Sequence, residues 1–122
     1  MRTLFCVLLS LFAPLLLGMA GLGEDYTEDH AVGQAIYEKN CLRCHGTNGE
    51  GNGPDAVALT VPPTNFQSVE SRMKSERDLR SAVVWGLAFS PMHKWFDTLT
   101  PPEMKSVVQY IRQMAPFRAR SN

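Results

Sequence analysis

Cys41-Leu42-Arg43-Cys44-His45 is the stretch that decides how this chain is read. Two thiols separated by two residues, with histidine directly after the second, form the attachment signature of a c-type haem. In that chemistry both cysteines become thioethers on the haem edge, and the next residue places an imidazole under the iron. Cys41 and Cys44 are therefore the candidate attachment residues and His45 the candidate proximal ligand. Three other uses of such a pair stay open beside this one. A zinc site needs two further ligands at similar spacing, and apart from His45 the chain offers only His30 and His93. A thioredoxin-like redox pair is expected after a strand in a βαβ context, and no such pattern precedes Cys41. A buried disulfide leaves the histidine without a role.

Working outward, Gly33 and Tyr37 precede the motif at a spacing of four, which puts them on one helical face. A glycine inside a helix costs up to about 1 kcal/mol against alanine, so it points to a close approach by another backbone or ring. After the motif comes His45-Gly46-Thr47-Asn48-Gly49-Glu50-Gly51-Asn52-Gly53-Pro54. This run is too glycine-rich for regular structure and suits tight turns beside a flat cofactor. It lacks the Gly-Lys-Ser/Thr of a phosphate loop. Farther on, Gly86 precedes a loop holding Met92, and a final helical stretch carries Tyr110. In this order the pieces resemble the class I bacterial cytochromes c, from about Ala31 to Ala115. The resemblance implies an all-α fold, with three to five short helices around one covalently bound haem c and the N- and C-terminal helices packed together. It also implies that Tyr110 faces Gly33, that attachment takes place outside the cytoplasm, and that the protein is a monomer.

The chain has 122 residues, which bounds it to one domain. Twelve Lys and Arg balance twelve Asp and Glu, and this neutrality argues against a nucleic-acid or polybasic membrane-surface partner. Acids gather early (Glu24, Asp25, Glu28, Asp29) and arginines late (Arg112, Arg118, Arg120), which reads as two solvated ends. Residues 1–20 read as a signal peptide: Arg2, an apolar run from Leu4 to Leu17, then Gly18-Met19-Ala20 as a cleavage site. An uncleaved membrane anchor is the alternative, although the run is short and holds Pro14. Cys6 would leave with the signal. Residues 21–30 read as a flexible acidic lead-in, 31–116 as the cytochrome c domain and 117–122 as a tail.

A first helix is expected over Glu28–Asn40, with Val32, Ala35 and Ile36 at helical spacing, and a short helical turn over Ala56–Leu59. Val61-Pro62-Pro63-Thr64-Asn65-Phe66 is a stiff extended segment. A metal-bound histidine usually donates its other ring N–H to a carbonyl or carboxylate. The resemblance implies a proline carbonyl here, Pro62 or Pro63, with Phe66 as a pocket wall. Ser75 is placed to cap a helix that Gly86 ends. Thr100-Pro101-Pro102-Glu103 has capping-box spacing ahead of Met104, Val107, Val108 and Ile111, the clearest helix in the chain.

The second axial ligand decides the chemistry, because a haem closed on both sides moves electrons whereas an open side binds or activates small molecules. Met92 is the candidate distal ligand, a soft thioether in the position where the resembled family carries its ligand methionine. Many relatives have proline after that methionine, whereas here Pro91 precedes it and His93 follows it. His93 is thus the rival ligand. Met73, Met104 and Met114 read as packing, and His30 as exposed. Trp85, Phe89 and Trp95 join Phe66 as expected pocket walls.

The reading that results is an exported, periplasmic monohaem electron-transfer protein, not an enzyme, passing single electrons between redox protein partners. Membrane association would follow only from an uncleaved N-terminus. A small haem peroxidase or ligand-binding haem protein, and a haem relay subunit of a larger oxidoreductase, are the alternatives.

Overall fold

A computed structural model describes residues 24–119, with side chains from Asp29 onward. The signal segment expected over residues 1–20 lies outside them, as do residues 120–122. The described chain contains helices and turns but no strand. Its elements are α1 (Glu24–Asn40), α2 (Leu42–His45), a 3-10 turn (Ala56–Ala58), α3 (Val69–Arg72), α4 (Glu76–Trp85) and α5 (Pro101–Met114).

The core is built where α5 crosses α1 and packs on α4. Helix α5 starts as its sequence dictates: Thr100 and Glu103 form a capping box, with proline at the first two helical positions. Its apolar stripe of Met104, Val107, Val108 and Ile111 is buried, Val108 completely at 0 % exposure. Helix α4 opens with a second capping box between Ser75 and Asp78, buries Leu79 and Val83, and ends at Gly86. Leu79 and Val83 are one turn apart, so α4 presents a narrow apolar stripe.

The α1·α5 contact depends on Gly33. A Cβ there would stand 2.8 Å from the Ser106 carbonyl carbon and 3.0 Å from the Tyr110 Cβ. The expected partner ring is thus in place, and Tyr37 on the same face lies 5.4 Å from Tyr110 between ring centroids. Tyr37 is 1 % exposed, and its hydroxyl donates to the Gly46 carbonyl at 2.7 Å. Burial pushes its phenol far above the ordinary tyrosine value, with Cys41 and Tyr110 adding to the shift, so it serves as a neutral donor.

Several expectations are corrected here. Helix α1 begins at Glu24 rather than Glu28, so most of the stretch read as a flexible lead-in is helical. Its second turn is held against α5: Lys105 pairs with Asp29 at 3.8 Å, and the Ser106 hydroxyl reaches Asp29 at 3.4 Å. His30, expected in solvent, is half-buried with its ring edge-on to Tyr110 at 5.5 Å. The buried stripe of α1 is Gly33, Ile36 and Tyr37, while Val32 and Ala35 face out. The segment expected as a tail is tied down at its start, since the Arg118 N–H donates to the Arg72 carbonyl at 2.9 Å. Arg72 in turn donates to the Pro116 carbonyl at 3.0 Å.

Candidate functional site

The motif cysteines and histidine occupy a single helical turn. The His45 N–H donates to the Cys41 carbonyl at 2.8 Å, and the Cys41 N–H to the Tyr37 carbonyl at 2.8 Å, so α2 continues directly from α1. Cys41, Cys44 and His45 thereby face one cavity of about 450 Å³, a size suited to a bound organic group. Both thiols are unbridged. Burial, reinforced by the neighbouring Cys44, pushes the Cys41 thiol up to about 12. Thiol–disulfide exchange uses a lowered thiol pKa, so this environment is the opposite of a thioredoxin-like pair. Among the described residues no group of three or more His, Cys, Asp or Glu is arranged to hold a metal ion. The donor set for zinc is therefore missing among the described residues.

His45 is fixed from two sides. Its Nδ1 lies 3.1 Å from the Thr64 carbonyl oxygen. A proton on Nδ1 donated to that oxygen leaves Nε2 with its lone pair, the form that binds a metal. Burial lowers the imidazole pKa, with the Thr64 hydrogen bond opposing, and the neutral ring is the ligating form. The expected acceptor was the carbonyl of Pro62 or Pro63; it is that of Thr64. The prolines make this stretch extended, but which carbonyl meets the ring depends on how the chain passes α2. Pro62 and Pro63 line the cavity instead. On its other side His45 stacks on Phe66, with ring centroids 4.5 Å apart and planes inclined by 14°. Phe66 is 8 % exposed.

The glycine-rich loop wraps the back of this unit. Gly49 takes φ +68°, and a Cβ there would lie 2.8 Å from Phe66 Cδ2 and 2.9 Å from Met114 Sδ. Both its backbone and its missing side chain are needed for Phe66 to lie between His45 and the end of α5. The Phe66 N–H donates to the Gly49 carbonyl at 2.6 Å. Arg43, between the two cysteines, binds Asp55 with two 2.7 Å hydrogen bonds and ties the end of the loop to α2.

Met92 and Trp95 approach the same cavity from the segment after α4. This segment is pinned to the helix end: the Leu87 N–H donates to the Met92 carbonyl at 2.9 Å, and the Trp95 N–H to the Val83 carbonyl at 3.1 Å. The Ser90 hydroxyl accepts from the Met92 N–H at 3.1 Å. His93 also lines the cavity, and its ring lies 4.4 Å from that of Trp95. Leu79 and Val83 of α4 and Ile111 of α5 supply further apolar wall.

Two expected walls are elsewhere. Trp85 is 68 % exposed and Phe89 101 % exposed, and neither lines the cavity. Trp85 pairs with Phe96 on the surface at 5.3 Å. The helical repeat accounts for this: Trp85 stands two residues past Val83, about 200° round α4 from the buried stripe. Thr64 was the site residue missed, because a backbone carbonyl leaves no signature in residue type.

The family model described as Cytochrome c matches residues 30–115. The fold is similar to a chain of the Kuenenia stuttgartiensis reducing HAO-like protein complex Kustc0457/Kustc0458, with 25% identity and a TM-score of 0.67. The match covers 72% of this chain and 44% of that one, so this chain spans under half of its length. It is also similar to the KustC0563 c-type cytochrome, with 26% identity and a TM-score of 0.55, over 67% of this chain and 95% of that one. No curated protein matches the sequence.

Proposed function

The chain belongs to the cytochrome c family, whose cofactor is covalently bound haem c, and from this premise we propose an exported one-electron carrier with His45 and Met92 as axial ligands. The observation that carries the proposal is the convergence of Cys41, Cys44, His45 and Met92 on one cavity with otherwise mainly apolar walls. The donor set fits the group: two unbridged thiols and a neutral imidazole on one turn, with a thioether on a separate, pinned segment. Haem so held supplies a single reversible electron through its iron and breaks no substrate bond.

The side chains then have distinct tasks. Cys41 and Cys44 hold the group in place. Thr64 and Phe66 fix the imidazole. Met92 would offer the iron a soft neutral thioether, a donor that would favour the reduced state. Phe66, Leu79, Val83, Trp95 and Ile111 exclude water, which tunes the potential. Export is inferred from the signal-like segment of residues 1–20. Among the described residues no helix is long and apolar enough to cross a membrane.

The test is an oxidised and reduced absorption spectrum of the holoprotein, repeated on Met92→Ala. A weak sulfur-to-ferric-iron band at the red edge, lost in the variant, is expected. A wild type that lacks this band and binds carbon monoxide readily would move the protein to the ligand-binding class, and a low-spin spectrum without it would assign His93. The likeness to a chain of a protein complex favours one further reading, a haem relay bound to a larger oxidoreductase. Co-purification of the exported chain with a stable partner distinguishes it from a free shuttle.

A further inference from the structure

The geometry points to Phe66 as a positioning residue that fixes the plane of the His45 imidazole and thereby the orientation of the axial ligand. This inference rests on the reading of His45 as the proximal ligand. A metal-bound imidazole can turn about its metal–nitrogen bond, and one hydrogen bond to a carbonyl restrains that rotation only partly, because acceptance at a carbonyl oxygen is angularly broad. The Thr64 carbonyl at 3.1 Å is one such restraint. The second is a face. The Phe66 ring lies nearly parallel to the imidazole, 14° apart in plane and 4.5 Å between centroids, so rotation of the imidazole drives its edge into the phenyl ring.

A stacked ring restrains its neighbour only if it cannot turn with it, and Phe66 is held on its remaining sides. Its N–H donates to the Gly49 carbonyl at 2.6 Å. Gly49 fits against its Cδ2, and Met114 Sδ lies against the same glycine. The ring is buried in the cluster that includes Ile111 and Ala115. The orientation of the imidazole is thus referred through Phe66 to the end of α5, far along the chain from the attachment motif. A leucine would fill most of the volume and still exclude water, but it offers no flat face. The orienting role therefore separates from the packing role.

The experiment uses the holoprotein in wild-type, Phe66→Leu and Phe66→Tyr forms. In the reduced, diamagnetic wild type, nuclear Overhauser contacts between the Phe66 ring and the His45 ring are expected. In the oxidised form, the pattern of hyperfine-shifted haem-methyl resonances reports the ligand-plane orientation. Phe66→Leu is expected to retain a low-spin spectrum but change the order or spread of those resonances, and Phe66→Tyr, which keeps the ring, to restore the wild-type pattern. An unchanged pattern in Phe66→Leu overturns the inference, as does absence of the ring–ring contacts in the wild type, a result that needs no variant to fold. If the His45 ring carries no hyperfine shift in the oxidised wild type, the proximal-ligand reading itself fails, and the inference with it.

Discussion

Replacing Gly33 by alanine tests the packing on which the fold rests, because two opposing effects predict opposite signs. In an unobstructed helix interior the change stabilises by about 0.8–1 kcal/mol through helix propensity alone. In this chain the added methyl would stand 2.8 Å from the Ser106 carbonyl carbon and 3.0 Å from the Tyr110 Cβ, and it would press still closer on the Ser106 carbonyl oxygen. These obstacles are backbone and the root of a side chain, so no rotamer change clears them. Ordinary contact starts near 3.5 Å, so clearing the Ser106 carbonyl requires α1 and α5 to part by about an ångström or the carbonyl to turn aside, along an interface where Tyr37, Val107 and Val108 are sealed. Overpacking of this kind costs about 1–3 kcal/mol, occasionally more. Added to the loss of the weak Asp29 contacts to Ser106 and Lys105, it outweighs propensity and leaves the variant less stable by about 1–2 kcal/mol. The assay is urea unfolding of the holoprotein, followed by far-ultraviolet circular dichroism and by haem absorption. A Gly33→Ala protein as stable as wild type, or more so, would refute the close-approach argument.

Three further outcomes follow from particular contacts. Tyr37→Phe removes the hydroxyl that donates to the Gly46 carbonyl at 2.7 Å; that carbonyl keeps the Gly49 N–H at 3.1 Å, so the loss is of one net hydrogen bond and should lower stability by about 0.5–1.5 kcal/mol in the same assay. Phe89 holds φ +60° with its side chain wholly exposed, so Phe89→Gly relieves about 1–2 kcal/mol of left-handed strain against about 0.5–1 kcal/mol of added chain entropy. A small rise in the urea midpoint is expected, and a fall would show that the ring is engaged. Asp55, Asp78 and Glu103 are held below the ordinary carboxylate values, foremost by hydrogen bonds from Arg43, from Ser75 and from the Thr100 backbone. With folded values below unfolded ones, the unfolded chain binds more protons, so this stability is complete above about pH 4–5 and fades as pH falls through the lowered values. Urea midpoints measured between pH 6 and pH 3 should decline, and Asp78→Asn should decline less steeply than wild type.

What the sequence disclosed was whatever periodicity or a fixed spacing encodes. The stripe of α5, its capping box, the cap at Ser75 and the stop at Gly86 were legible, because each rests on residue type at a local interval, whereas the approach of Tyr110 to Gly33 came from the family resemblance. The single-turn α3, Val69–Arg72, was not, since four residues are too few to display a period. The carbonyl on His45 was placed one or two residues early because it depends on how an extended segment passes a distant helix. Trp85 and Phe89 were placed inside on the strength of being aromatic. The spacing of Leu79 and Val83 already marked the buried face of α4, and Trp85 falls off it.

The meeting of α1 and α5 has a topological consequence. Asp29 and Ser106 touch across 77 positions, and the cavity-lining residues run from Asn40 to Ile111, so nearly the whole pocket is contained in the loop that the meeting of α1 and α5 closes. A chain still lacking its last helix owns both thiols, the imidazole and the thioether, yet has no clasp to gather them. Loop closure must be met before such distant contacts reward it. The pocket is therefore completed only when α5 is in place, and a truncation that removes α5 but spares every ligand would still abolish it.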